Sequence, residues 1–211
     1  MRRASATLTS MGFTEFVLHH LPPAPARVLE IGCGDRGGVV PALVDAGYDA
    51  LGVDPRAPLG AHYRQVDFRE VEGEFDAVVA GRVIHHLVPL DDAVERMAGL
   101  APLVLVDEFA WDLIDPELQA WYEAERARRP DAIGPPSLDE WRWRHPGLHP
   151  HDAVLAALRA RYDERMLEWV PYFHHWLGDV ESPDRIGYRW VGKVRRLSPQ
   201  EQTDARETRA S

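Results

Sequence analysis

Short apolar runs recur along the chain and are separated by longer segments in which apolar residues have helical spacing. The clearest runs are residues 28–31, 50–53, 77–80 and 103–106. Apolar runs of this length are typical of strands that are covered on both faces, as in a parallel sheet. Residues 39–46 and 91–100 lie between such runs and have helical spacing. The pattern therefore predicts alternating strands and helices.

The remaining segments extend this alternation and then interrupt it. Residues 8–21 predict a leading helix that covers the sheet or the mouth of a site, and residues 63–68 predict a short third strand. Residues 111–150 break the alternation with two helices and a proline-rich loop. The rest of the chain predicts a helix at 153–162, closing strands at 164–170 and 185–194, and a polar tail at 198–211.

Length, composition and charge favour one cytoplasmic domain. The chain has 211 residues, of which 45% are hydrophobic, which is enough for an α/β domain with an added covering segment. The formal net charge of −10 gives no support to a nucleic-acid or membrane partner, because either would need a concentrated basic surface. Cys33 is the only cysteine, so no disulfide framework is expected and a reducing cytoplasm fits best. No signal sequence or membrane-length apolar run is visible.

The first predicted strand leads into a glycine-rich turn, which is the strongest chemical signal in the chain. Gly32, Gly34 and Gly37 have the spacing of a nucleotide-binding turn. Asp54 ends the second strand at the separation expected for an acid that accepts hydrogen bonds from ribose hydroxyls. Glu30 lies two residues before the first glycine, where an unpaired carboxylate beside a pyrophosphate would be costly. A cofactor with a sulfonium and an ammonium group would instead be attracted to Glu30.

The stretch Val28-Leu29-Glu30-Ile31-Gly32-Cys33-Gly34 resembles the first motif of the class I S-adenosylmethionine-dependent methyltransferases. Residues 74–81 resemble their F-D-x-V motif, and the resemblance covers roughly the first half of the chain. It implies a methyltransferase of the small-molecule type, similar to types 11 and 12. The implied α/β fold is a Rossmann-like, doubly wound, seven-stranded, mainly parallel sheet with its last strand antiparallel. The implied cofactor is S-adenosylmethionine, with S-adenosylhomocysteine as product.

We expect a single domain over residues 1–197 and a flexible tail at 198–211. Residues 22–110 would form the cofactor-binding core. Residues 111–150 would be a helical insertion after strand five that covers the substrate. Residues 151–197 would supply a closing helix and a β-hairpin.

The resemblance places the cofactor at the carboxyl ends of strands one to four. It implies that Asp54 binds the ribose hydroxyls, that Asp67 binds the adenine amino group and that Phe68 lines the adenine pocket. Asp54 also fits a turn or helix cap before Pro55, and Asp67 equally fits a cap for the following turn. The predicted cofactor-binding residues are Glu30, Gly32, Cys33, Gly34, Asp54, Pro55, Asp67, Phe68, Gly81 and Arg82.

Two adjacent histidines, His85 and His86, follow the fourth strand. Neighbouring side chains diverge by about 100° on a helix and point to opposite faces of a strand, so at most one of them faces the methyl group. By analogy with related enzymes we predict His86 as the catalytic residue. It would either pack against the cofactor or act as a base.

Aromatic residues after the fifth strand either wall an apolar substrate pocket or seal the insertion onto the domain. Residues 171–177, between the two closing strands, are also expected to face the substrate. The predicted substrate-binding residues are Trp111, Trp141, Trp143 and Tyr172.

No metal site is predicted. His145, His149 and His151 are separated by prolines and have no cysteine nearby, so we interpret them as loop histidines near the substrate or at the surface. Asp107 and Glu108 end the fifth strand and fit either a metal site or a cap for the next element.

The predicted reaction is direct attack of an oxygen, nitrogen or carbon atom of a small molecule on the sulfonium methyl group. Small molecules are favoured because residues 81–84 lack the Asn/Asp-Pro-Pro-aromatic signature of enzymes that methylate amino groups of nucleic acids or glutamine. A non-catalytic S-adenosylmethionine-binding domain remains an alternative. A nicotinamide-dependent oxidoreductase is another, but it gives Glu30 no role, and the only lysine, Lys193, lies in the last predicted strand.

Overall fold

The computed structural model describes residues 11–195, which form seven strands and seven α-helices. The strands are β1 (Arg27–Ile31), β2 (Asp49–Val53), β3 (Tyr63–Arg64), β4 (Ala77–Gly81), β5 (Leu103–Phe109), β6 (Tyr162–Val170) and β7 (Gly187–Val194). The helices are α1 (Phe13–His20), α2 (Val40–Asp45), α3 (Leu90–Leu100), α4 (Pro116–Arg128), α5 (Leu138–Arg144), α6 (His151–Arg161) and α7 (His174–Leu177). None of the helices between residues 11 and 195 is both long and apolar enough to cross a membrane.

The strands form one sheet in the order β3-β2-β1-β4-β5-β7-β6. All neighbours from β3 to β5 pair in parallel, whereas β7 runs antiparallel to both β5 and β6. The prediction of a mainly parallel seven-stranded sheet with its last strand antiparallel is confirmed. The chain order reverses between β1 and β4, and ligands of such sheets bind at the carboxyl ends of the strands beside this reversal.

Two apolar clusters cover the two faces of the sheet. Successive side chains of a strand point to opposite faces, so Ala77 and Val79 of β4 join one cluster while Val78 and Ala80 join the other. Helices α1 and α2 pack in the first cluster, and α3 and α6 pack in the second. Burial on both faces explains why the central strands are continuously apolar in sequence.

Several element boundaries differ from those predicted from the sequence. Strand β3 ends at Arg64, and Asp67 caps a short 3₁₀ turn by accepting a hydrogen bond from the Arg69 backbone N–H (2.9 Å). Tyr162 was expected to end a helix, but it begins β6, where its ring packs edge-on against Trp190. Residues 8–10 of the predicted leading helix and the predicted tail at 198–211 lie outside the described residues.

A third apolar cluster joins the segment after β5 to the segment between β6 and β7. Tyr122 of α4 packs there against Phe173, with their ring centroids 4.6 Å apart. The buried carboxylate of Asp184 accepts hydrogen bonds from the backbone N–H groups of Tyr172 (2.6 Å) and Phe173 (3.2 Å). We call residues 111–150 and 171–186 together the cover, because they form one layer beyond the carboxyl end of β5.

Candidate active site

Glu30 anchors the glycine turn, residues 32–38, to the centre of the sheet. Its side chain on β1 is buried (3% exposed), and one carboxylate oxygen accepts hydrogen bonds from the backbone N–H groups of Val39 (2.8 Å) and Val40 (3.2 Å). Gly38 lies directly against the same carboxylate, where any Cβ atom would collide with it. Glu30 thus holds the start of α2 close to β1 and shapes the turn between them.

The buried carboxyl group of Glu30 loses its proton near neutral pH. Loss of solvation raises the pKa of its carboxyl group to about 7, although the backbone N–H groups of Val39 and Val40 and the charge of Arg82 lower it. A cationic ligand near this carboxyl would favour its ionised form.

Asp54 connects the glycine turn to the end of β2. One carboxylate oxygen accepts a hydrogen bond from the Gly34 backbone N–H (3.2 Å), and the other accepts one from that of Arg56 (2.7 Å). A carboxylate has about four acceptor positions, so these two bonds leave capacity for ribose hydroxyls. Gly34 has a φ of 65°, and a Cβ atom there would meet nothing within 4 Å, so this side of the turn is open to a ligand.

The other predicted cofactor-binding residues differ in their burial and in their partners. The Cys33 thiol is buried and its pKa is raised to about 12, mainly by burial, so it stays protonated. Asp67 serves the capping role, and its carboxylate pairs with the Arg69 guanidinium at 3.0 Å. Phe68 is buried in the core, whereas Pro55 is exposed. Gly81 ends β4 against the ring of Phe13, which brings α1 to the edge of the predicted cofactor site.

Residues 82–87, which we call the histidine turn, follow β4 and include a 3₁₀ turn at Ile84–His86. Buried Glu108 of β5 holds this turn, because one carboxylate oxygen accepts the Ile84 backbone N–H (2.6 Å) and the other lies 2.5 Å from Nδ1 of His85. The carboxylate is the acceptor, so Nδ1 of His85 carries the hydrogen. The side chain of His85 is buried, whereas His86 is exposed to solvent.

His86 is a neutral imidazole at physiological pH. Partial loss of solvation and the neighbouring His85, whose ring centroid lies 4.2 Å away, lower the pKa of His86 to about 4. A neutral ring retains a lone pair that can accept a proton, and it can also pack against an apolar group.

The adjacent acids at the end of β5 each have a partner within the fold. Asp107 pairs with Arg189 of β7 through an Nε–Oδ1 contact of 3.4 Å, and both side chains are buried. Burial raises the pKa of Asp107 to about 6, and the charges of Arg189 and Arg82 oppose this rise. Glu108 is bonded to the histidine turn. Hydrogen bonding and charge pairing therefore account for both acids.

His145, His149 and His151 all have structural partners, and Nδ1 of His145 lies 2.8 Å from the Trp141 carbonyl. His149 joins the cover to the histidine turn: its backbone N–H donates to the His85 carbonyl (2.9 Å), and its Nε2 lies 3.0 Å from the Leu87 carbonyl. His151 begins α6 and pairs with Asp112 at 2.7 Å. Asp112, His151 and Asp152 also have the spacing of metal ligands, on the surface of the described part of the chain.

A cleft of about 230 Å³, which we call the aromatic cleft, lies between the histidine turn and the cover. It is lined by Arg82, His85, His86, Phe109, Trp141, His145, Tyr172 and Trp176. Phe109 and Tyr172 stack nearly in parallel, with their ring centroids 4.1 Å apart. Trp141 of α5 stacks with His145, the residue that follows this helix, with their ring centroids 4.8 Å apart.

Two of the four predicted substrate-binding residues line this cleft. Trp141 and Tyr172 line it. Trp111 instead lies in the packing of the cover, where its indole N–H donates to the His149 carbonyl (3.0 Å). Trp143 is 80% exposed, because two successive steps of about 100° turn it to the opposite side of α5 from Trp141. Trp111 and Trp143 are therefore outside the cleft.

Sequence reasoning missed Phe109 as a site residue. Its position as the last residue of a strand that ends at the ligand-binding edge was a usable signal. His145 was expected near the substrate or at the surface, and Trp176 lies in a segment expected to face the substrate. The pairing of His85 with Glu108 had no sequence signal, since the two residues lie on different elements.

Comparison with known proteins identifies the family. Residues 10–175 match the family model of the methyltransferase domain. The chain belongs to the methyltransferase domain family. Membership confirms two predictions from the sequence: the protein is a methyltransferase, and its cofactor is S-adenosylmethionine.

Solved structures with the same fold share little sequence with this methyltransferase. The PH0226 protein of Pyrococcus horikoshii OT3 is 15% identical, with a TM-score of 0.57 over 86% of this chain and 87% of its own. The magnesium protoporphyrin IX methyltransferase of Synechocystis PCC 6803, with bound S-adenosylhomocysteine, is 14% identical, with a TM-score of 0.53 over 85% and 78%. The N-methyltransferase NodS of Bradyrhizobium japonicum WM9, also with S-adenosylhomocysteine, is 14% identical, with a TM-score of 0.52 over 88% and 94%. No match was found among curated proteins.

The titration of Glu30 predicts how cofactor affinity depends on pH. If the ionised carboxylate attracts the sulfonium, S-adenosylmethionine should bind several-fold more tightly as pH rises through about 7, on the order of 1 kcal/mol. The gain should be lost again as pH falls and Glu30 takes up its proton. Glu30→Gln should remove this pH dependence, as measured by calorimetry from pH 6 to pH 8.

Glu72→Gln, at an exposed site before β4, is the matched control and should keep the wild-type pH dependence. A Glu30→Gln protein that is folded and retains the wild-type dependence would assign the effect to another group.

Proposed function

We propose that this methyltransferase acts on a small molecule whose planar or aromatic part binds in the aromatic cleft. One observation carries the proposal: the histidine turn packs directly onto the glycine turn and also forms one wall of the cleft. A Cβ atom on Gly32 would collide with the side chain of Val83, so the two turns are in contact. An acceptor in the cleft would therefore lie next to a cofactor on the glycine turn.

The main task of the protein in this reaction is to align the acceptor atom with the methyl carbon of the cofactor. When bound, S-adenosylmethionine supplies an electrophilic methyl carbon and a neutral thioether leaving group. Asp54 is proposed to bind the ribose and Glu30 to attract the cationic end. Trp141 and Trp176, which are partly exposed, would hold an acceptor by stacking, and the buried pair of Phe109 and Tyr172 would support them.

His86 is proposed to lie beside the reacting atoms. It lines the cleft and is uncharged at neutral pH, so it does not repel the sulfonium. Two roles remain for it: packing against the donor, or accepting a proton when the acceptor atom must lose one.

A small-molecule acceptor agrees with the small volume of the cleft and with the aromatic rings in its lining. Among the similar structures, the Synechocystis enzyme is named for magnesium protoporphyrin IX, itself a small molecule. The competing proposal of a non-catalytic S-adenosylmethionine-binding domain leaves the aromatic cleft without a role. Family membership leaves the nicotinamide-dependent alternative without support.

The direct test is turnover against a panel of small aromatic acceptors that differ in the nucleophilic atom. We expect S-adenosylhomocysteine to form together with a methylated product for at least one class. Tight binding of S-adenosylmethionine with no product from any class would favour the non-catalytic domain.

Replacing His86 with Gln separates its two possible roles. We expect kcat to fall by about tenfold or more while S-adenosylhomocysteine affinity stays within a few-fold. If His86 is a base, the wild-type rate should decline as pH falls towards about 4, where the ring becomes protonated, and the variant should lose this limb of the pH–rate profile. If His86 only packs, the shape of the profile should persist.

His62→Gln, at an exposed site before β3, is the control and should retain wild-type rates. A fully active His86→Ala enzyme would rule out both roles.

Trp141 and Trp143 form a matched pair on one helix, with one ring in the cleft and the other in solvent. Trp141→Ala should raise KM or lower kcat for the acceptor by about tenfold, because it removes a stacking wall. Trp143→Ala should leave both constants unchanged, because its ring is 80% exposed. Steady-state kinetics and calorimetry with S-adenosylhomocysteine measure the two effects separately. Equal losses in the two variants would place the acceptor elsewhere.

A further inference from the structure

Arg82 has an unusual backbone conformation at the entrance to the aromatic cleft. Its φ is 55°, and it is the one non-glycine residue between 11 and 195 whose φ is positive. Its backbone N–H donates to the Asp107 carbonyl (2.6 Å), which holds this conformation at the end of β4. Left-handed conformations cost energy for residues with a side chain, and they concentrate at functional sites. The strain here is associated with an arginine that lines the cleft.

The guanidinium of Arg82 has no partner within the described part of the chain. No carboxylate there forms an ion pair with it, and its side chain makes no hydrogen bond. The nearby acids are engaged otherwise: Glu30 with the start of α2, Asp107 with Arg189, and Glu108 with His85. A guanidinium with its five N–H donors available is suited to a planar anion such as a carboxylate.

The other residues that line the cleft contribute no negative charge. They are imidazoles and aromatic rings, and none is an aspartate or a glutamate. Burial and then the positive charge of Arg82 lower the pKa of His175 in the cover to about 3, so the field of Arg82 reaches across to the cover. The Arg82 guanidinium is the charged group of this lining, and it favours an anionic group on a ligand that binds in the cleft.

The size of the cleft restricts the acceptor further. Its volume of about 230 Å³ lies below the range of roughly 300–1,000 Å³ that is usual for drug-sized ligands. The partly exposed rings of Trp141 and Trp176 line this space and favour a flat compound. A single-ring molecule is the class that fits both observations.

We propose that the methyl acceptor is a small aromatic carboxylate whose anionic group is bound by the Arg82 guanidinium while its ring lies against the aromatic walls of the cleft. This inference rests on the proposed function, because it assigns the acceptor class to the same cleft. Arg82 is then a specificity-determining residue. Its backbone position beside Gly81 remains compatible with a cofactor contact through main-chain atoms. The competing role for its side chain is to bind the carboxylate of the cofactor itself.

Binding of two isosteric probes to the full-length protein saturated with S-adenosylhomocysteine tests the proposal. Benzoate carries the anionic group, and benzamide is its neutral counterpart. We expect benzoate to bind at least about tenfold more tightly than benzamide, because a charge-assisted bidentate pair is stronger than neutral hydrogen bonds. Arg82→Gln should remove this preference, and Arg82→Lys should retain part of it. Isothermal calorimetry gives each affinity.

Arg165→Gln is the control for net charge, since Arg165 is exposed near the start of β6, at the opposite edge of the sheet from the cleft. It should leave the preference for benzoate unchanged. Titration of S-adenosylhomocysteine into each variant identifies the competing role: loss of cofactor affinity by more than tenfold in Arg82→Gln would assign the side chain to the cofactor and overturn the proposal.

Equal binding of benzoate and benzamide to the wild-type protein, or no binding of benzoate, would also overturn it. Neither result depends on the variants, so the test stands even if Arg82→Gln fails to fold. Turnover of small molecules tests the proposed function separately. An uncharged acceptor would therefore contradict this inference and leave the proposed function intact.

Discussion

The hydrogen bonds of Glu108 hold the histidine turn in place at the carboxyl edge of the sheet. A carboxylate that is buried at the end of a strand is costly unless its oxygens are bonded, and Glu108 has both of its oxygens bonded to the histidine turn. The same turn contacts the glycine turn through Val83 and receives the backbone N–H of His149 from the cover. A single buried acid on β5 therefore fixes the element that contacts both the glycine turn and the cover.

Acidic side chains recur along this edge of the sheet, and each one is compensated by a different kind of partner. Glu30 binds backbone N–H groups at the start of α2, Asp107 binds Arg189, and Asp54 binds the glycine turn. Through these bonds, the acids hold the loops that follow the strands in place. Arg82 differs from them, because its charge faces the aromatic cleft and has no acidic partner there. The edge thus combines carboxylates that serve the fold with one cation that is available to a ligand.

The cover is built from two stretches of the chain that meet at the end of β5. Its two stretches are separated in sequence by α6 and β6, yet they pack as one apolar cluster against the end of β5. Asp184 stabilises the second stretch by accepting backbone N–H groups of Tyr172 and Phe173. Because both stretches contribute walls to the aromatic cleft, the shape of the cleft depends on packing between distant parts of the chain.

The sequence by itself determined the order of strands and helices, the sheet class, the family and the edge at which the site lies. These features depend on local periodicity and on a short motif, so neighbouring residues are sufficient to predict them. Only the tertiary structure decided which aromatic rings line the cleft and which acids are already paired. Trp141 and Trp143 look alike in sequence, and the rotation of α5 against its neighbours separates them. The partners of Asp107 and Glu108 come from other elements, and contacts between distant segments have no signature in a single sequence.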